Sequence, residues 1–104
     1  MDTSPSNPAV RIPLTTLVRV FATPERLRIL RELSQGEALM VKEIAARIRQ
    51  KTSMTSKHLR ILRESGILLR GRGNLYSVNP IHLVPGQPGH VELGTCLFRL
   101  APED

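Results

Sequence analysis

Tryptophan is absent from this chain, and Phe21, Tyr76 and Phe98 are its only aromatic residues. Recognition of unpaired bases relies on aromatic platforms, so this poverty argues against a binder of single-stranded nucleic acid. It argues equally against an aromatic-anchored protein interface. Cysteine is nearly absent too. Cys96 alone cannot form an intramolecular disulfide, and it suits a reducing compartment. No apolar run approaches the ~20 residues that a membrane-spanning helix needs. The N-terminus, Met1 to Pro8, has neither the charged nor the apolar region of a secretory leader. The expectation is a cytoplasmic protein with no membrane partner.

The chemistry of catalysis is also missing. No nucleophile–base–carboxylate set stands out, and Gly71-Arg72-Gly73 is only a fragment of a dinucleotide loop that does not open a helix. His82, His90 and Cys96 match no common zinc spacing, and none forms an i, i+4 pair on a helix. No enzyme activity, metal, cofactor or small-molecule ligand is expected. What remains is a globular composition: 104 residues, 40% hydrophobic and 23% charged, enough for one domain with a modest core.

Acidic residues are scarce in one place. Between Lys42 and Gly73 stand Lys42, Arg47, Arg49, Lys51, Lys57, Arg60, Arg63, Arg70 and Arg72, opposed only by Glu43 and Glu64. That segment carries a net +7 in a chain of net +6, so the remainder sums to −1. Such localisation is the electrostatic footprint of a polyanion binder, where a solvated helix face would be the bland alternative.

The same segment has a legible architecture. Val41, Ile44, Ala45 and Ile48 recur at helical spacing, and after the polar break Arg49-Gln50-Lys51-Thr52 a second helix starts near Ser53. Its inward residues are Thr55, Leu59 and Leu62, and Gly66 ends it. Ile67 to Arg70, the turn Gly71-Arg-Gly-Asn74, and Leu75 to Val78 then suggest a two-stranded hairpin. Helix, turn, helix, wing is a plan for laying one helix in the major groove of DNA.

Around this segment, residues 1–10 are Ser-, Pro- and Asn-rich and expected to be a disordered tail. A first helix is expected near Pro13, with Leu14, Leu17, Val18 and Phe21 as its apolar stripe. Thr23-Pro24-Glu25 opens the next, with a capping hydroxyl, Pro at the first helical position and a carboxylate at the positive end of the dipole. Its inward set is Leu27, Leu30 and Leu33, with Ile29 at the flank and Arg26, Arg28 and Arg31 projecting elsewhere. After Asn79-Pro80, residues 81–104 read as a Pro/Gly linker followed by one strand, Val91 to Leu100, with a bulge near Gly94 that puts Val91, Leu93, Cys96, Phe98 and Leu100 on one face. That strand either closes the fold or pairs across a dimer. The fold class is therefore mainly α with a small β-hairpin, an α+β winged helix-turn-helix over residues 11–80 plus a C-terminal strand.

Four motifs in order carry a resemblance. Ala22-Thr-Pro-Glu-Arg-Leu-Arg-Ile-Leu-Arg-Glu-Leu33, Glu43-Ile-Ala-Ala-Arg-Ile48, Ser53-Met-Thr-Ser-Lys-His-Leu-Arg-Ile-Leu-Arg-Glu-Ser-Gly-Ile67 and the return strand from Gly73 to Pro80 are similar to the ArsR-type winged-helix transcriptional regulators. The resemblance implies a homodimer that binds double-stranded DNA at two half-sites and represses transcription. Metal-sensing members carry Cys-x-Cys at the start of the first reading helix, where this chain has Met40 and Lys42, so it resembles a non-sensing member. The family's glycine and apolar residue in the inter-helix turn are Arg49 and Gln50 here, and its closing helix is replaced by the Pro/Gly segment.

The expected DNA-facing residues follow from the helix phase. Opposite Thr55, Leu59 and Leu62 lie Ser53, Met54, Ser56, Lys57 and Arg60, with Thr52 beside them. Ser56 suits a base edge or a phosphate, Met54 a thymine methyl, and Arg60 a guanine or a phosphate. Thr52 or Ser53 is expected to cap the helix as well. His58 suits either packing or DNA contact. Arg70 and Arg72 flank the wing tip and Lys42 the first reading helix, all expected at phosphates or the minor groove. The competing expectation is a winged-helix module that binds protein or RNA without reading DNA, which has no need of a basic face.

Overall fold

Three helices whose apolar stripes face one another organise the molecule. The computed structural model describes residues 12–94 and 97–100. Helix α1 spans Leu14–Val20, α2 Pro24–Leu33, α3 Val41–Ile48 and α4 Thr52–Glu64. Ile44, Ala45 and Ile48 of α3 and Thr55, Leu59 and Leu62 of α4 are buried, as their spacing predicts. They meet Ile29, Leu30 and Leu33 of α2, each at most 1% exposed. Here the expectation needs correction, because Ile29 is in the core while Leu27 is only half-buried, and Arg26, Arg28 and Arg31 are half-buried as well. Helix α2 packs against α3, α4 and the second wing strand at once, so its buried arc is wider than one stripe.

The expected stripe of α1 is also rotated. Leu17 and Val20 are buried, whereas Leu14 and Val18 are each 66% exposed. At about 100° per residue, Leu14 and Val18 lie on one side of Leu17 and Val20 on the other. The core meets the Val20 side, with Phe21 half-buried beside it.

The turn between α3 and α4 is closed by Arg49 in the left-handed region, at φ 58° and ψ 46°. Its N–H reaches the carbonyl of Ala46 at 3.3 Å, and the Gln50 N–H reaches Ala45 at 3.0 Å. A side chain in this conformation costs roughly 1–2 kcal/mol, which outweighs the roughly 0.5–1 kcal/mol of extra chain entropy that glycine loses. Arg49→Gly should therefore stabilise the fold by about 0.5–1 kcal/mol, read as a higher urea midpoint at unchanged slope.

Two residues past the end of α4, Gly66 takes φ 88°, and the chain turns directly into the wing. Strand β1, Leu68–Arg70, pairs antiparallel with β2, Tyr76–Val78, in the register Leu68↔Val78 and Arg70↔Tyr76. A residue far away in sequence bridges to β2 as well: Leu39 and Tyr76 exchange backbone hydrogen bonds of 2.9 and 2.7 Å. Asn79 locks the base. Its N–H donates to Ile67 O, its Nδ2 to Gly66 O at 3.3 Å, and its Oδ1 accepts from Ile81 N at 3.2 Å. Asn79→Ala should cost about 1–2 kcal/mol, the sum of a lost cap and a lost strap, visible in thermal unfolding.

The single bulged strand expected near the C-terminus is instead a hairpin. Strand β3, His90–Glu92, pairs antiparallel with β4, Leu97–Arg99, in the register His90↔Arg99. Gly94, at φ 88°, begins the reversal, and its N–H is held by Glu92 Oε1 at 2.8 Å. The glycine that would accommodate a bulge thus serves a turn. Val91 and Leu93 reach the core, and Ile12 donates to Leu93 O at 2.8 Å, tying the start of the described chain to this hairpin. His82, 1% exposed, sits beneath it with Nδ1 2.9 Å from Glu92 O. Cys96 and the N-terminal tail lie outside the described residues. Helices followed by a small antiparallel hairpin make this a winged helix-turn-helix of the α+β class, with β3–β4 added after the wing.

Candidate nucleic-acid interface

Helix α4 separates its two faces cleanly. Thr55, Leu59 and Leu62 have no exposed surface, while Thr52, Ser53, Met54, Ser56, Lys57 and Arg60 are all exposed. Arg63 is exposed on the same helix, outside the DNA-facing set expected from the helix phase. The helix begins one residue earlier than its pattern suggested, with Lys51 at the N-cap and no side-chain cap. Neither Thr52 nor Ser53 caps, which corrects the expectation for both. The hydroxyl that does bond there is Thr55 Oγ1, donating to Lys51 O at 2.9 Å. The hydroxyls of Thr52 and Ser53 therefore remain outside the cap.

Electrostatics at this end runs against helix stability. Carboxylates are favoured in a first turn and cations disfavoured, yet the first turn of α4 has no acidic residue and follows Lys51. Lys42 likewise occupies the first turn of α3, exposed, although there Glu43 Oε1 accepts from Met40 N at 2.9 Å and partly offsets it. At these two helix starts the lysines oppose the helix dipole.

Not every cation of the segment contributes equally to its positive field. Arg47 lies 3.4 Å from Glu37 and 3.6 Å from Glu32. The hydrogen bond to Glu37, and then that carboxylate's charge, raise its proton affinity further. Arg47 is exposed but faces two carboxylates, which weaken its share of that field. Arg60 lies 3.4 Å from Glu64, but both side chains are largely exposed, and such i, i+4 pairs hold an arginine only weakly.

The wing tip is more ordered than a pair of flexible arginines. Arg70 donates through Nε at 3.1 Å and Nη2 at 2.5 Å to Asn74 Oδ1, and Asn74 itself has φ 59°. Arg72 stands exposed in the 3₁₀ turn Arg72–Asn74, where Gly73 at φ 75° lets the chain reverse. Asn74 is thus a residue of the site that sequence reasoning passed over. Its signal was there: an asparagine in a glycine turn, four residues after an arginine.

His58 turns away from the exposed face. It is half-buried, and its Nδ1 accepts from Arg26 Nε of α2 at 3.2 Å. Burial, and then the charge of Arg26, lower its proton affinity below that of an ordinary imidazole, with Glu25 pulling the other way. Of the two roles open to His58, the structure shows packing.

Among the described residues, no group of three or more His, Cys, Asp or Glu is arranged to hold a metal ion, and no helix is long and apolar enough to cross a membrane. Residues 21–70 match a family model described as a helix-turn-helix domain. The match runs from the end of α1 through β1 and stops before β2 and the C-terminal hairpin. No curated protein matches the chain.

Proposed function

We propose that the helix-turn-helix domain of residues 21–70 binds double-stranded DNA sequence-specifically, as an ArsR-type homodimeric transcriptional repressor that works without a metal or cofactor. The observation that carries this is α4, whose exposed face presents short side chains at its N-terminal end and cations one turn on, with no carboxylate in its first turn. In the major groove, Ser53 and Ser56 permit close approach, Met54 contacts a thymine methyl, and Arg60 reads guanine bidentately. Lys42, Thr52 and Lys57 hold phosphates, and the wing places Arg70 and Arg72 beside the minor groove, which adds affinity more than sequence choice.

One such domain spans few base pairs, and a two-fold pair supplies a second half-site. Leu14 and Val18, exposed on α1, give a second copy an apolar surface, and β3–β4 follows the wing in the chain, where the ArsR-type family has its closing helix. Titration of a mixed-sequence duplex against salt tests the electrostatic core of this reading. Affinity should fall linearly on a log–log plot, by a factor on the order of 10³ from 50 to 200 mM salt, with two chains per bound site. Binding indifferent to salt would favour a protein- or RNA-binding module instead.

A further inference from the structure

We infer that Arg26 is a positioning residue for α4 and that its contact with His58 makes DNA binding acid-sensitive; the second half of this inference rests on the DNA-binding reading above. Arg26, in the first turn of α2, is half-buried and joins three helices through one guanidinium. Its Nη1 donates to the carbonyls of Arg19 and Val20, the second at 3.3 Å, and so satisfies the C-terminal end of α1. Its Nε donates to His58 Nδ1 at 3.2 Å, in the middle of α4. A planar fork of fixed geometry thereby sets where α4 lies relative to α1 and α2. His58 is next to Lys57 and Leu59 and two residues before Arg60, so the joint sits directly behind the exposed cations.

A guanidinium is only a donor, so the bond exists only while Nδ1 carries a lone pair. The imidazole must be neutral, with its proton on Nε2. Protonation would set an N–H against the Arg26 N–H and place two cations 3.2 Å apart. The charged groups acting on His58 are Arg26 and Glu25, both on α2, and the arginine outweighs the glutamate. Because burial and Arg26 make the folded imidazole hold its proton less tightly than the unfolded one, the contribution of His58 to stability is fully present above about pH 6.5 and is lost as pH falls below that value. The sign at DNA is the informative part. A histidine facing phosphate tightens binding when it gains charge. A histidine behind the helix, braced by an arginine, loosens it.

The test measures affinity for a mixed-sequence duplex, and for any duplex enriched from a random pool, at pH 7.5 and 5.5. Wild type should weaken about tenfold on acidification. His58→Asn, whose Oδ1 offers an acceptor near the place of Nδ1 but takes no proton in this range, should not weaken. Nitrogen NMR of His58 should show the neutral Nε2–H form at pH 7.5 and a titration below that of free imidazole, moved upward in Arg26→Gln. Wild-type binding that holds or tightens at pH 5.5, or that weakens equally in His58→Asn, would overturn the acid-sensitive joint while leaving DNA binding intact. Loss of all duplex binding at pH 7.5 would overturn the DNA reading and the acid effect on it together. The positioning role of Arg26 then stands or falls on the imidazole signals alone, and a protonated Nδ1 at pH 7.5 would end it.

Discussion

Leu59→Ala should lower the unfolding free energy by about 2–5 kcal/mol, the largest loss expected from any single change discussed above. Leu59 has no exposed surface and lies at the middle of α4, within the same buried cluster as Leu30 and Ile44. Truncation removes the transfer free energy of its methyl groups. It also leaves a cavity that helices packed on several sides cannot collapse to fill. A domain of this size has about 5–15 kcal/mol of total stability, so the variant keeps only part of it. The melting temperature should fall by on the order of 10 °C or more. Met54→Ala, on the exposed side of the same helix, should change stability by less than about 0.5 kcal/mol. Equal effects at the two positions would contradict the placement of α4.

Arg60→Ala should cost about 1–3 kcal/mol in affinity for the preferred duplex, roughly 5- to 150-fold, and should relax the choice of base at one position. Its pairing with Glu64 does not prevent this, since an exposed i, i+4 pair is weak and opens at little cost when a guanine edge is offered. Arg72→Ala should behave differently, weakening every duplex by a similar factor and lowering the salt slope by about one. The contrast arises from position: Arg60 lies on the helix proposed to enter the groove, whereas Arg72 lies in the 3₁₀ turn of the wing. Competition against duplexes substituted one base pair at a time distinguishes them. Uniform loss for both variants would remove Arg60 from the readers of sequence.

Both predictions draw on elements legible in the sequence, and the reason is periodicity. Val41, Ile44, Ala45 and Ile48, then Thr55, Leu59 and Leu62, follow a helical repeat over enough turns to fix the phase, and Gly66 marks the end of α4. The exposed set from Thr52 to Arg60 follows by subtraction. Where a stretch was short, the phase was not fixed. Helix α1 has seven residues, and four apolar positions allowed the wrong side to be chosen. Gly94 was equally consistent with a bulge and with a reversal, and only the pairing of His90 with Arg99 decides between them. Long-range contacts left no local trace at all. Leu39 on Tyr76, Arg47 on Glu32 and Glu37, and Arg26 on His58 join residues whose neighbours in sequence say nothing of them. They matter because the first adds to the wing, the second partly offsets one cation of the basic segment, and the third links α2 to the helix that carries the others.

Selection of bound duplexes from a random pool at about 150 mM salt, where loose phosphate contacts are already weakened, tests the central claim most directly. Enrichment of an inverted repeat, with a half-site spacing set by how two chains meet, is the expected result. Duplexes retained without enrichment would contradict sequence-specific reading by α4, and retention of none would contradict DNA binding itself.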